Sequence, residues 1–266
     1  MDANLEVDAL GTGEPALLLV HGYACAKEDW AAQLQAFAGT HRCVAVDLPG
    51  HGASALNGAP TVAALAAVVN STRQRACPGP VVLVGHSLGV RVVIDAYLQQ
   101  PHGVAGLVLV DGRFYDGDPQ EVARRMADLV DSVGFDAFIR RAFGGMFTAT
   151  SDPALRQRVV ERAARLDPVY GRALFIESVL WDSTRGRDAL RRIHVPVLHL
   201  QATDIDEQRR MVSLRPGIRT PFMDLVEELV PGATVQVVPE VGHLAMLEAP
   251  DFVNQALAAF LGGLRA

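Results

Sequence analysis

The chain reads as an α/β protein: a mainly parallel, doubly wound sheet that carries a helical insert. Three observations predict this class. Short Val- and Leu-rich runs recur without strict alternation, the pattern of strands covered on both faces. Stretches of helical period lie between them, which implies a parallel sheet with right-handed crossovers. One long region, from 113 to about 190, breaks the alternation and contains no convincing strand.

Each strand candidate ends on turn residues. ALLLV (16–20) ends at His21-Gly22, RCVAVDL (42–48) at Pro49-Gly50 and VVLV (81–84) at Gly85. VAGLVLVD (104–111) ends at Gly112, and VPVLHL (195–200) ends near Gln201. TVQVVP (234–239) alternates more clearly and suits a strand nearer the sheet edge. Among the helices, TVAALAAVVNSTRQ opens on Thr61 as N-cap and repeats apolar residues at Val62, Leu65 and Val69. LGVRVVIDAYLQQ stops before Pro101, and PDFVNQALAAFLGG presents Phe252, Val253, Ala256, Leu257 and Phe260 on one face. TPFMDLVEELVPG has Thr220 as cap, Pro221 at the first helical position and Pro231-Gly232 as the stop. Four further helical stretches fill the irregular region. The core is therefore expected to comprise residues 1–112 and 191–266. The insert, 113–190, is expected as a cap over the carboxyl ends of the strands, where such sheets bind ligands.

Composition narrows the class. At 266 residues and 50% hydrophobic, the chain can bury a sizeable core. A net charge of −6 without a basic block argues against a nucleic-acid binder. Lys27 is the only lysine, which points to coding bias more than to a binding surface. Three cysteines without a C-x-x-C spacing give neither a disulfide framework nor a zinc site. No signal peptide and no membrane span are visible, so a cytoplasmic protein is the expectation. No metal, nucleotide or flavin motif is present, and no cofactor is expected.

The stretch VVLVGHSLGVRVVIDAY (81–97) carries the chemistry. G-x-S-x-G between a strand and a helix is a nucleophile elbow. The turn is sharp enough to require small neighbours, hence Gly85 and Gly89. The helix that follows aims its N-terminal N–H groups at the Ser87 oxygen, which stabilises developing negative charge. A serine needs a base, and elbow enzymes place it after the last strand. His243, between TVQVVP and the final helix, fits. His86 sits inside the elbow, His21 precedes a loop, and His194 and His199 flank or occupy a strand.

LLLVHGYACAKEDW, VAVDLPGHGAS, VLVGHSLG, GLVLVDG and VPEVGHLAMLEAPDF together resemble serine hydrolases of the α/β-hydrolase fold superfamily, and span nearly the whole chain outside the insert. The resemblance implies that the insert follows the sixth core strand. It implies that the backbone N–H groups of Tyr23 and Leu88 form an oxyanion hole. It marks Asp47 and His51 as turn-builders, and Ser87 in place of aspartate argues against haloalkane dehalogenases and epoxide hydrolases. The resemblance usually places the triad acid in a Gly-x-x-Asp turn after VPVLHL. Here that turn reads Gln201-Ala202-Thr203-Asp204-Ile205-Asp206, out of register by one. Asp111, after VAGLVLV, is the preferred acid, with Asp204 the alternative and Asp206 third. Gly22, His86, Arg113 and Trp181 are expected at the substrate, beneath an apolar cap that holds Phe138, Phe147 and Phe175.

The expected activity is hydrolysis of a small carboxylic ester or lactone through an acyl-enzyme. The alternatives are carbon–carbon bond hydrolysis of the meta-cleavage product type, perhydrolase side activity, and a low-turnover ligand receptor on the same fold. The sequence sets no oligomeric state.

Overall fold

A computed structural model describes residues 5–208 and 210–264. Strands β1 (Val7–Leu10), β2 (Ala16–Val20), β3 (Cys43–Val46), β4 (Val81–His86), β5 (Val104–Val110), β6 (Val197–Gln201) and β9 (Thr234–Val237) form one sheet. The order is β1-β3-β2-β4-β5-β6-β9. β1 pairs antiparallel with β3, and every other pairing is parallel. β7 (Thr203–Ile205) and β8 (Met211–Ser213) make a separate antiparallel hairpin. Neither β1 nor this hairpin is legible as a strand in the sequence. β1 is a half-buried edge of four residues, and β7 and β8 have three each, too short for a period to register.

Helices α1 (Ala31–Phe37), α2 (Val62–Ala76) and α3 (Leu88–Gln99) follow β2, β3 and β4. The chain steps from β2 outward to β3, then reverses past β2 to β4. Right-handed crossovers therefore put α1 on one face and α2 and α3 on the other. The reversal opens a crevice at the carboxyl ends of β2 and β4, the place where open α/β sheets bind ligands. All five residues of β2 are fully buried, as its central position requires.

The irregular region forms α4 (Pro119–Asp131), α5 (Phe135–Gly144), α6 (Pro153–Ala163), α7 (Pro168–Trp181), a π-turn over Asp182–Gly186 and α8 (Arg187–Arg191). Asp118, Asp152 and Asp167 cap α4, α6 and α7, each followed by proline at the first helical position. In the family's count the insert follows the sixth core strand. Among the described residues it follows the fifth, because one antiparallel strand, β1, precedes Ala16–Val20 there. After β6 come α9 (Pro221–Leu229), α10 (Ala245–Glu248) and α11 (Pro250–Gly263), with Thr61 and Thr220 capping α2 and α9 as their sequences predict.

A buried ion pair ties the insert to the core. Arg91, on the first turn of α3, donates Nε and Nη2 to the two oxygens of Asp182 at 2.7 and 2.6 Å. Nη1 also donates to the Ser87 carbonyl at 3.2 Å, and Nη2 to the Arg113 carbonyl at 2.7 Å. The Asp182 side chain is wholly inaccessible. Removing one partner of such a pair leaves an uncompensated buried charge. Asp182→Ala is thus expected to destabilise the fold by about 3–5 kcal/mol, whereas replacing both partners by apolar residues of similar volume should cost far less. Chemical denaturation of the single and double variants checks this.

Candidate active site

The site is assembled at four strand ends. Ser87 leaves β4 with φ 53° and ψ −111°, a conformation that a non-glycine residue holds only under restraint. Its N–H donates to the Val110 carbonyl at 3.0 Å, and its own carbonyl accepts from Val90 and Arg91. The glycines on either side are required by contact. A Cβ on Gly85 would collide with the Gly89 carbonyl, and one on Gly89 with the Val20 carbonyl. The strand and helix thus cross too closely for any side chain, and the turn stays tight.

The loop after β2 closes against this elbow. A Cβ on Gly22 would lie 3.1 Å from Ser87 Cβ. His21 braces that loop in its neutral form: Nδ1–H donates to the Gly22 carbonyl at 2.7 Å, and Nε2 accepts from Leu48 N–H at 3.0 Å. Among the described residues, no turn or loop hydrogen bond takes up the N–H of Tyr23 or of Leu88. Leu88 follows Ser87 in sequence, and Tyr23 follows Gly22, whose backbone packs against Ser87. The Tyr23 hydroxyl donates to the Gly171 carbonyl of α7 at 2.7 Å, so the loop is anchored to the insert.

His243 and Asp111 come together. His243 Nδ1 lies 2.6 Å from Asp111 Oδ2, and a carboxylate accepts, so Nδ1 carries the proton and Nε2 presents a lone pair. Asp111 has a left-handed backbone (φ 46°) and is 2% exposed. Its Oδ1 accepts from Ala202 N–H at 2.7 Å, Thr203 N–H at 2.9 Å and Gln201 Nε2 at 2.9 Å. Its Oδ2 also accepts from Thr203 Oγ1 at 2.7 Å. Burial alone would push this carboxyl up. The bonds from His243 and Thr203 outweigh it and hold the group below the ordinary aspartate value. Behind it, His199 Nε2 donates to Gln201 Oε1 at 2.6 Å, which fixes the Gln201 amide with its nitrogen toward Asp111.

The other sequence-predicted residues fall as follows. Asp204 meets Arg113 at 2.7 Å, and Asp206 meets Arg210, so neither carboxylate faces His243. Arg113 stands two residues past Asp111 and ties that turn to the β7–β8 hairpin. Trp181 does not line the site. Its buried indole N–H needs an acceptor and finds Asp95 at 3.2 Å, two turns down α3 from Ser87. His86 is fully buried beneath the site and exposes no surface to a substrate. Sequence reasoning missed Gln201 and Thr203 as the donors that hold Asp111. The signal was a polar residue closing an otherwise apolar strand.

The insert forms the roof. Tyr23 packs on Phe175 with ring centroids 5.8 Å apart, and Phe175 on Phe138 at 5.0 Å. Met146 O accepts from His243 N–H at 2.8 Å. Glu248 accepts from Gly242 N–H at 3.1 Å and from the Ser151 hydroxyl of the insert. Cys25, on the loop after Tyr23, is buried, and burial together with Asp29 pushes its thiol well up, so it is no nucleophile. Among the described residues no cluster of His, Cys, Asp and Glu has metal-binding geometry, and no helix is long and apolar enough to cross a membrane.

Known proteins share the fold of this chain. The model of the alpha/beta hydrolase family matches residues 17–256. The chain is 31% identical over 278 aligned positions to a pimeloyl-[acyl-carrier protein] methyl ester esterase of Stenotrophomonas maltophilia (strain K279a), covering 98% of this chain and 97% of that one. Two other curated relatives are longer, and the chain spans 15% of one and 64% of the other. Among solved structures, a thermophilic esterase of Thermogutta terrifontis superposes with a TM-score of 0.80 at 24% identity, covering 98% of this chain and 94% of that one. The enol-lactonase of Burkholderia xenovorans LB400 gives 0.79 at 20% identity, covering 97% and 96%. At these identities the structural likeness is one of fold. With the matching model, the full-length relative and the assembled elbow, the chain belongs to the alpha/beta hydrolase family.

Proposed function

We propose that this hydrolase cleaves a small carboxylic ester or lactone through an acyl-enzyme on Ser87. The observation that carries the reading is the 2.6 Å contact between His243 Nδ1 and Asp111, with the His243 ring packed on His86, the residue that precedes Ser87 in its strained elbow. Asp111 fixes the tautomer that leaves His243 Nε2 free to act as base. His243 takes the Ser87 proton as Oγ attacks the carbonyl carbon. The oxygen that becomes negative is received by the N–H groups of Tyr23 and Leu88, aided by the N-terminus of α3. Loss of one such donor typically costs 10²–10³-fold in rate. The tetrahedral adduct collapses, His243 passes its proton to the leaving alcohol, and the acyl group stays on Ser87. Water, deprotonated by His243, then releases the acid.

The insert, residues 113–190, serves as the cap. Its Phe138–Phe175 wall against Tyr23 favours an apolar group on the substrate. The full-length relative is a methyl ester esterase and a fold neighbour an enol-lactonase, so esters and lactones are the substrates to try first.

A fluorophosphonate probe is expected to label the protein, and Ser87→Ala to abolish the labelling. A panel of p-nitrophenyl esters and lactones should be turned over by the parent and not by the variant. A folded parent that neither reacts with the probe nor turns over any ester would end the acyl-transfer reading. Turnover confined to a ring-cleavage dienoate would move the assignment to carbon–carbon bond hydrolysis. Labelling without turnover would favour a ligand receptor.

A further inference from the structure

Asp111 fixes the ring of His243 at one nitrogen only. What fixes the main chain that carries the ring? Both its polar groups are held from outside its own loop. The N–H donates to the Met146 carbonyl of the insert at 2.8 Å. The carbonyl lies 2.9 Å from His86 Nε2. A carbonyl can only accept, so His86 carries its proton on Nε2.

His86 is the last residue of β4 and directly precedes Ser87. It is wholly buried, and its ring centroid is 4.7 Å from that of His243. Its other nitrogen, Nδ1, has no hydrogen-bond partner. A Cβ on Gly22 would lie 2.8 Å from that atom, so the Nδ1 edge is packed against the loop after β2. Burial and the neighbouring His243 push the His86 pKa down to about 3. The ring therefore stays neutral at ordinary pH, and its one proton stays available to the His243 carbonyl. With no surface to offer a substrate, it is neither acid, base nor ligand contact.

We propose that His86 is a positioning residue for the base: its Nε2–H holds the His243 carbonyl against the strand that carries the nucleophile, and so sets the distance between His243 Nε2 and Ser87 Oγ. This rests on the serine-hydrolase reading above. The device is economical in geometry. Ser87 and His86 share one peptide bond, so the elbow and the base loop are held to one frame. Met146 restrains the same residue from the insert side, through its N–H. A displacement of about 1 Å at a reacting group can cost 10²-fold in rate, which is the scale at stake.

Two variants and one spectrum test it. Gln places an amide N–H near the position of imidazole Nε2, whereas Leu fills the space and donates nothing. His86→Leu should lose about 10²-fold in kcat with KM within threefold of the parent, while His86→Gln should recover at least tenfold of that loss. Circular dichroism and thermal melts establish that the variants compared are folded. Folded Leu and Gln variants with equal kcat would overturn the proposal, as would a folded Leu variant with parental kcat. Long-range ¹H–¹⁵N correlation on the unmodified protein reads the His86 tautomer directly and does not depend on either variant folding. An Nε2–H tautomer with a slowly exchanging proton is expected, and an Nδ1–H tautomer overturns the proposal. Failure of the parent to turn over any ester or bind the fluorophosphonate probe would instead count against the serine-hydrolase reading.

Discussion

Asp111→Asn should yield a folded protein that has lost about four orders of magnitude in kcat, while Asp204→Asn stays within a few fold of the parent. The reason lies in which atoms Asp111 faces. Three donors converge on Oδ1, from Gln201, Ala202 and Thr203, so the asparagine oxygen must take that place. Its NH₂ then occupies the Oδ2 position. Thr203 Oγ1 can turn to accept from it, but His243 Nδ1 meets a donor where it had an acceptor. The imidazole must move its proton to Nε2, and the lone pair that would take the Ser87 proton is gone. Asp204 bonds Arg113, with both side chains about a third exposed, and its loss touches no proton path. Steady-state kinetics on the two variants, with the His243 tautomer read by NMR, decides between them. Comparable losses in both would mean that Asp204 and not Asp111 alone supports the base.

Acid should unfold this protein early. Four of the buried histidines have their pKa pushed down: His21, His51, His86 and His199. Burial is the leading cause in each case. It pushes His51 and His199 down to about 4 and His86 to about 3, and His21 well below its ordinary value. In the unfolded chain all four titrate near 6.5. Above that pH both states are neutral and nothing is lost. As pH falls below it, the unfolded chain binds protons that the native state refuses. Each group then removes about 1.4 kcal/mol per pH unit, down to its native pKa. At pH 5 the four together withdraw roughly 8 kcal/mol, comparable with the whole stability of a typical domain. Asp182 runs the other way, since burial raises it to about 6, but one group returns only about 1.4 kcal/mol at pH 5. Asp111, held low, adds its own loss only below the ordinary aspartate value. Thermal melts between pH 7.5 and 5 should show a fall on the order of 20 °C. A melting temperature unchanged over that range would mean that these rings accept protons while folded.

Much of this molecule is legible in its residues, and what escaped did so for physical reasons. The parallel strands declare themselves because burial on both faces demands uninterrupted Val and Leu. Thr61 and Thr220 announce their helices because an orphan N–H needs a nearby oxygen. Gly85 and Gly89 flank Ser87 because two backbones cross there at contact distance. β1 and the β7–β8 hairpin are too short and too exposed to leave a period. The stretch from Gln201 to Asp206, which offered Asp204 as the alternative acid, hid its own role. Read as an acid turn slipped by one residue, it is instead the cradle of donors that receives Asp111. A local pattern can show that a turn is polar. Only the fold shows whose charge it serves. Trp181 misled for a related reason: an aromatic residue in a cap suggests a ligand wall, but its buried N–H commits it to Asp95.

The roof is fastened at separate corners: Tyr23 to Gly171, Arg91 to Asp182, and His243 to Met146. Lifting it as one rigid door would rupture these together with the Trp181–Asp95 and Ser151–Glu248 bonds, and two of them belong to Tyr23 and His243, which the proposed mechanism uses. Small adjustments of individual rings would leave these ties intact, whereas wholesale opening would not.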